Sequence, residues 1–446
     1  MKLKEHPTVI RHHQKMAAGE VVKVPAKLDA AWLKQIAIDA GADDVGIVEI
    51  ERSVLDDQRV DILQHFPSTR TLLSFVCRMN REPIRSTARS VANLEFHHRG
   101  DQVNEVAQQV VADLERHGVR AINPSMGFPM EMDQFPGKLW VVSHKPVAEA
   151  AGLGVMGIHR NVIHPTFGNF ILLGTVLIDS PATAYDQPID YNPCLECKLC
   201  VSACPVGAIS PKGEFNFSAC YTHNYREFMG GFTDWTEEVA DSRDRFDYRN
   251  RVGQNESASM WQSLSFGASY KAAYCLSVCP AGEDVIGPYL ADKKSHLAEY
   301  VKPLQEKKET IYVLANSDAE EYVAKRFPSK QAKRVGDSLR PSSIQGFLDG
   351  VGLVFQPGKS AGLDATYHFT FTGSESKKAT IVIRDKAISV AGGHVGTASL
   401  RVTADAKTWL GFLAKERSIA WALLRRKIRL KGSPRLLLAF GNCFPK

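Results

Sequence analysis

Seven of the nine cysteines gather in two short runs and one position between them. The first run is Cys194-Leu-Glu-Cys197-Lys-Leu-Cys200-Val-Ser-Ala-Cys204-Pro205, the C-x2-C-x2-C-x3-C-P spacing of a bacterial-type iron–sulfur site. A cubane needs several thiolates converging on one small volume, and three cysteines on a tight loop supply most of that shell. The fourth, followed by proline, ligates the other cluster of a pair. A second half-motif, Cys275-Leu-Ser-Val-Cys279-Pro280, lies downstream, and Cys220 stands between the two. The chemistry this predicts is one-electron transfer through 4Fe–4S clusters. Zinc is disfavoured, because its paired C-x2-C ligands do not end in two C-x3-C-P runs. Cys77 and Cys443 are left over and read as small buried hydrophobes.

Proton chemistry is the second possibility. Ten of fourteen histidines precede residue 165. His144 and Lys145, then His159 and Arg160, are the candidates to donate protons or hold an anionic cofactor group. An isolated histidine is more often a hydrogen-bonded structural residue. Gly152-x-Gly154-x-x-Gly157 matches a dinucleotide fingerprint on paper, but the fingerprint needs a strand immediately before it. Residues 147–150 read as helical instead. Gly152, Gly154 and Gly157, with Asn161, are then candidates to let the backbone approach a flat cofactor, or to form a tight turn.

These groups must be held by folded elements. Residues 1–27 lack a period and read as an arm. Trp32, Leu33, Ile36 and Ala40 recur at helical spacing, Gly41 stops that helix, and 45–50 reads as a strand. Further strands are expected at 71–76, 139–142 and 170–178, and a helix at 101–117. The alternation predicts an α/β domain over 28–185 and an iron–sulfur module over 186–285. The module's aromatic-rich spacer, Tyr221 to Tyr270, is expected to pack as core or to shield clusters. Residues 286–340 read as a connector. From 341 to 446, alternating residues such as Tyr367, Phe369 and Phe371 predict half-buried antiparallel strands, followed by helices at 406–414, 418–426 and 434–440: an α+β domain.

The chain has 446 residues, 44% hydrophobic and 23% charged, ordinary for a water-soluble fold. No apolar run would span a bilayer, and the N-terminus carries no signal-peptide pattern, so a cytoplasmic, non-transmembrane protein is expected. Net charge is +6, with eleven Lys or Arg in residues 401–446. That basic stretch reads as a solvated face, or as a docking surface for an acidic redox partner or anionic lipid. Basic residues are not interleaved with aromatics in a nucleic-acid pattern, so no nucleic acid is expected.

Two resemblances follow. Ala151-Gly-Leu-Gly-Val-Met-Gly157, then Asn161, Pro165, Phe167-Gly-Asn-Phe170, Leu173-Gly174 and Asp179, followed by the cysteine run, resembles the epoxyqueuosine reductases and their reductive dehalogenase relatives. The likeness covers about 28–285. It implies a nitroreductase-like α/β domain holding cobalamin, and a ferredoxin-like module of two four-iron clusters fed by a donor such as ferredoxin or flavodoxin. Phe355-Gln-Pro-Gly-Lys-Ser-Ala-Gly-Leu-Asp-Ala-Thr-Tyr367, Phe371-Thr-Gly373 and Ile428-Arg-Leu-Lys-Gly432 resemble the sterol carrier protein type two fold. That likeness implies an apolar tunnel for a lipid or hydrophobic small molecule.

The chain departs from the first pattern in three places. The stretch Lys138 to Pro146 has no aspartate where that family carries its catalytic acid, and the first tyrosine is Tyr185, so the dehalogenase proton donor does not carry over. Ala272 stands where the second motif's first cysteine belongs. The crossed pattern then assigns Cys194, Cys197, Cys200 and Cys279 to one cluster, and only Cys204, Cys220 and Cys275 to the other. The second cluster is a four-iron cluster with a non-cysteine ligand, a three-iron cluster, or absent; His223 and Tyr274 are sequence-near candidates for a fourth ligand. The leading expectation is an iron–sulfur reductase. The alternatives are a non-catalytic electron-transfer protein whose C-terminal domain binds lipid or a partner, and a lipid carrier with a redox-sensing module.

Overall fold

The computed structural model describes residues 2–19, 25–124, 140–194, 196–336, 341–414 and 416–444. Helix Ala30–Asp39 starts where the Asp29 carboxylate accepts the Trp32 N–H at 2.8 Å, and it sends Leu33, Ile36 and Ala37 inward. It lies against a sheet in the order Asp44–Glu49, Thr71–Arg78, Ile171–Ile178, Ala121–Ile122, every ladder of which is antiparallel. The expected α/β domain thus mixes helices with an antiparallel sheet rather than the parallel one that alternation predicts. The Thr71–Arg78 strand is flanked on both sides, and all but its last residue are buried. Val103, Val106, Val110 and Leu114 face the same core, as their spacing predicts. Their helix, however, begins at Arg89 rather than at 101. Its first turns are polar because they serve tertiary contacts: Asn93 accepts the Tyr270 N–H and Glu95 accepts the Asn80 N–H, which hides the apolar period. The strand expected at 139–142 does not form over 140–142, and Leu139 lies outside the described residues. Val141 and Val142 instead plug a second core on the other face of the sheet. Within the expected arm, Pro7–Ala17 is a helix that buries no residue.

The cysteine region is built from short helices: Leu199–Ala203, Phe217–Asn224 and Tyr274–Ser277. Its spacer folds as helices Gly230–Ala240, Arg245–Arg251 and Gln254–Phe266. The aromatics divide. Tyr225, Phe228, Tyr270 and Phe96 meet ring to ring at 4.7–5.3 Å, whereas Phe246, Trp261 and Phe266 are exposed. Residues 286–340 are more than a connector. After four short helical turns, parallel strands Thr310–Leu314 and Gln331–Val335 are joined by helix Asp318–Arg326. Ile311, Val313, Ala319 and Val323 share one core with Cys200 and Cys204, so this unit closes the cysteine region. Its second strand, Gln-Ala-Lys-Arg-Val, is too polar to be read as a strand from sequence.

Beyond residue 341 a five-stranded sheet runs in the order Ala387–Gly392, Lys377–Arg384, Ala365–Thr372, Leu400–Asp405, Ile428–Gly432. One pairing is parallel, Ala365–Thr372 with Leu400–Asp405, where antiparallel strands were expected. The first three strands meander, and the chain then crosses to the open edge of the first, which sets the direction. Helices Ile344–Gly350, Ala406–Leu413, Ile419–Leu424 and Pro434–Asn442 complete the unit. Trp409 meets Phe347, Phe369, Phe371 and Phe412 at 5.3–6.0 Å, and Tyr367 meets Phe440 at 5.0 Å. These rings fill the core of the unit.

Candidate iron–sulfur site

The two cysteine runs adopt the same local shape. Lys198 (φ 52°) precedes helix Leu199–Ala203, and Ala273 (φ 55°) precedes helix Tyr274–Ser277. Each left-handed residue lets the chain reverse so that the following turn presents its cysteine inward. Cys197 stands just before the first reversal and Ala272 just before the second. The buried Ala272 is therefore the structural counterpart of Cys197, and its N–H donates to Asn224 Oδ1 at 3.0 Å.

The sulfurs act on one another in two groups. Cys279 feels Cys197 and Cys194, and Cys200 feels Cys275 first and then Cys279 and Cys197. Cys220 feels Cys275 and Cys204, and Cys275 feels Cys204. Cys275 also acts on Cys200 and Cys279, so the groups adjoin. Burial pushes the thiols up, Cys275 to about 11 and Cys279 to about 12. A bound cation is what makes such thiolates affordable. Backbone amides already offset part of the cost: Cys204 accepts the Ala208 N–H at 3.3 Å and is further lowered by the amides of Val206, Gly207 and Ile209, while Cys194 accepts the Ile158 N–H at 3.3 Å. Amides directed at thiolates and an all-sulfur donor set fit an iron–sulfur group. Among the described residues, no three His, Cys, Asp or Glu groups lie close enough to grip a single ion.

The candidate proton donors separate. Lys145 Nζ donates to the Arg160 carbonyl at 2.5 Å and to Asn161 Oδ1 at 3.2 Å. Burial pulls its ammonium below the usual lysine range, and the neighbouring Cys275 and Cys220 sulfurs hold it up. Asn161 Nδ2 in turn points at Cys275 Sγ, 3.8 Å away. Lys145 and Asn161 thus connect the α/β domain to the second sulfur group. His159 is buried and pushed down to about 4, first by burial and then by Lys145; its Nδ1 accepts the Asn161 N–H at 3.2 Å, which positions that residue. His144 hydrogen-bonds Thr175 at 2.8 Å. Arg160 has an exposed side chain, and only its carbonyl enters the site.

The glycines do not cradle a cofactor. A Cβ on Gly152 (φ +76°) would lie 2.6 Å from the Gln187 carbonyl oxygen, one on Gly154 2.5 Å from that of Ile163, and one on Gly157 2.8 Å from the Ile163 side chain. The close approach they permit is to the chain itself. The described residues expected to hold cobalamin therefore do not fit it, and no chemistry is derived through it. The candidate fourth ligands also face away: His223 Nδ1 accepts the Tyr312 N–H at 3.3 Å, and the Tyr274 hydroxyl donates to Glu309 at 2.6 Å. Two groups escaped sequence reasoning. Tyr225 is half-buried beside Cys220 and Cys275, its phenol pushed well up by burial and then by Cys220. Arg89 faces Tyr274, Glu309 and Cys275 from the early turns of the long helix. Only the density of aromatics in the spacer pointed toward Tyr225.

Comparison with known proteins supports a 4Fe–4S cofactor. Residues 188–210 match the 4Fe-4S binding domain model. This stretch, which holds the first cysteine run, is thus similar to a 4Fe–4S binding domain. It is 28% identical over 123 residues to the epoxyqueuosine reductase of Aliivibrio fischeri, a match covering 28% of this chain and 29% of that protein. It is 38% identical over 80 residues to that of Staphylococcus aureus (18% and 20%), and 31% over 110 residues to that of Escherichia coli (25% and 27%). The chain thus spans between a fifth and a third of the length of these relatives. Among solved structures, an epoxyqueuosine reductase with a modified tRNA-Tyr stem loop superposes with a TM-score of 0.32 at 19% identity, over 43% of this chain and 56% of that one. A catabolic reductive dehalogenase superposes with a TM-score of 0.37 at 17% identity, over 61% and 36%. Among the described residues, no helix is long and apolar enough to cross a membrane.

Proposed function

We propose that the chain is an iron–sulfur reductase. Electrons enter at the Cys194, Cys197, Cys200 and Cys279 group from a donor such as ferredoxin or flavodoxin. They leave from the Cys204, Cys220 and Cys275 group toward a substrate of the α/β domain. An iron–sulfur cluster supplies one-electron chemistry when bound. The chain's own residues do the rest. Lys145 places a cation beside Cys220 and Cys275, which favours the electron-rich state. The amides around Cys204 do the same, and Tyr225 excludes water while keeping its proton. The observation that carries this reading is the Lys145–Asn161–Cys275 contact, which couples the inner sulfurs to the α/β domain.

The partial relatives are named for epoxyqueuosine, so an epoxide-bearing nucleoside in tRNA is the first substrate class to test. The solved likeness that holds a tRNA stem loop stands against the expectation of no nucleic-acid partner, and that expectation is withdrawn. The stretch Lys138 to Pro146 offers no aspartate, and Lys145, beside the inner sulfurs, is the candidate within it to supply the proton. The glycine loop packed on its own chain favours a second reading: a relay without its own catalysis, whose C-terminal unit docks a partner.

The test is anaerobic purification with iron and sulfide analysis, followed by incubation of the reduced protein with an epoxyqueuosine-containing stem loop. Turnover supports the enzyme. Intact clusters without turnover of any offered nucleoside support the relay. Colourless protein holding zinc overturns both.

A further inference from the structure

The five-stranded sheet beyond residue 341 has its helices on one side. Phe347, Trp409, Ala422 and Phe440, one from each of the four helices, share a core with Tyr367, Phe369, Val402 and Ile428 of the strands. The alternate strand residues point to the other side. There a loop crosses the middle strands: the Thr380 hydroxyl donates to the Gly393 carbonyl at 2.9 Å and accepts the Val395 N–H at 2.8 Å. Around that loop Lys378, Arg401, Arg429 and Lys431 are exposed.

This side carries one sign of charge. The register sets Lys378, Thr370, Thr403 and Arg429 in one row across four strands, and Arg401 and Lys431 in the next. Arg401 and Lys431 stand directly opposite one another, where like charges disfavour pairing. The ion pair of this sheet joins Arg384 to Asp364, and among the described residues none of Lys378, Arg401, Arg429 and Lys431 has a carboxylate partner. Asp405, at the end of its strand, caps the helix that follows, accepting the Thr408 N–H at 3.0 Å and hydroxyl at 2.6 Å. The turn into the last strand adds Arg425, Arg426 and Lys427, all exposed. Arginine, lysine and threonine are the side chains that contact phosphate oxygens. A bilayer also offers phosphates, but a protein lying on one buries apolar side chains in it. On this side the exposed large apolar residue is Val395, whereas Trp421 and Leu424 belong to a helix packed on the other side through Ala422.

We propose that this open side of the C-terminal sheet docks the phosphodiester backbone of a folded RNA, held by Lys378, Arg401, Arg429 and Lys431. The role rests on the reading of tRNA as the carrier of the substrate, and it makes the C-terminal unit the part that holds that RNA. Tyr367, Phe369 and Phe371 of the central strand all face the core, so the sheet offers no ring on which a base could stack. Affinity should then depend steeply on salt and little on sequence.

The test is fluorescence anisotropy of the anaerobically purified full chain with a labelled tRNA stem loop and with a stem loop of unrelated sequence, beside co-sedimentation with phosphatidylserine vesicles. Saturable binding of both stem loops is expected, with log K falling against log salt at a slope of about −3, since each of the four phosphate contacts supplies roughly 0.7–0.9. The combined Arg401→Ala, Arg429→Ala and Lys431→Ala variant should bind RNA roughly a hundredfold more weakly at about 0.1 M salt, and its slope should shrink by about 2. Lys431→Glu alone sets an opposite charge across from Arg401, which favours the sheet, and should still weaken RNA binding by more than about tenfold. That variant separates a lost contact from lost folding. No saturable RNA binding overturns the proposal, as does a folded triple variant that binds as the parent does, or a preference for vesicles over RNA. Protein that binds the stem loop through this surface but reduces no nucleoside keeps this proposal and overturns the reductase reading. Turnover of the stem loop with RNA affinity untouched by the triple variant does the reverse.

Discussion

Replacing Lys145 with methionine removes one positive charge from the inner sulfur group with little change in volume. Nζ lies 3.2 Å from Asn161 Oδ1, and Asn161 Nδ2 lies 3.8 Å from Cys275 Sγ. With the amide's own span, the cation is at most roughly 9 Å from that sulfur. At an effective dielectric of about 20, a unit charge at that distance contributes ~2 kcal/mol to the difference between oxidised and reduced states. For a single electron this is about 80 mV, by the scale on which 59 mV is tenfold. The Lys145→Met variant should therefore show an inner-group potential lower by about 80 mV. Lys145→Arg, which keeps the charge, should move it far less.

The assay is a redox titration of the anaerobically reconstituted protein followed by electron paramagnetic resonance, with the two signals fitted separately. The outer group has Cys194, Cys197, Cys200 and Cys279 as its thiols, none of which perturbs Lys145, and its potential should hardly change. A drop of less than about 20 mV in the inner signal, or an equal drop in both, would refute the placement of a working cation at Lys145.

Four further outcomes are expected. Ala272→Cys restores a thiol at the counterpart of Cys197 and should raise iron retained per chain on anaerobic gel filtration, with the inner signal becoming that of a four-iron cluster. Gly152→Ala forces a Cβ against the Gln187 carbonyl at positive φ and should cost about 1–3 kcal/mol in denaturant unfolding. Trp409→Ala empties the ring-packed centre of the C-terminal sheet and should cost about 3–5 kcal/mol, read from the same unfolding curves. His159 is neutral when folded, with its value pushed down to about 4 from 6.5, so its contribution is present above pH 6.5 and is lost as pH falls toward 4. His159→Gln should flatten the fall in stability across that window by up to about 3 kcal/mol.

The parts of the fold that sequence made legible are those where one face meets one core. Val103, Val106, Val110 and Leu114 lie on the predicted side of their helix, and the alternating residues around Phe369 lie in a sheet. Periodicity failed where polar residues do tertiary work. Asn93 and Glu95 hide the start of the long helix, and Gln331–Val335 is a strand whose side chains mostly face solvent. The site divides in the same way. Cysteine spacing speaks for itself, because a thiol has few other reasons to recur at two and three residues. Lys145 and Asn161 were legible only as types in a stretch. What selects them over His144 and Arg160 is which side chain reaches Cys275, and that depends on the turn at Arg160 (φ 62°), which presents its carbonyl to Lys145 and leaves its side chain outside.

The glycines teach the converse lesson. Gly152, Gly154 and Gly157 have the spacing of a ligand-binding loop, but spacing cannot say what the backbone approaches. Here it approaches Gln187 and Ile163, and the Gln187 segment leads within seven residues to Cys194. Arg52 reinforces the junction, donating to the Asp186 carbonyl at 2.9 Å and to the Ala150 carbonyl at 3.3 Å. The glycine turn is thus packed against the segment that enters the first cysteine run, and Ile158, one residue past Gly157, donates its N–H to Cys194 Sγ. A side chain at Gly152 would push on that junction. The Gly152→Ala variant should therefore disturb the outer iron–sulfur signal before it disturbs any ligand of the α/β domain, the order opposite to that of a cofactor-cradling loop.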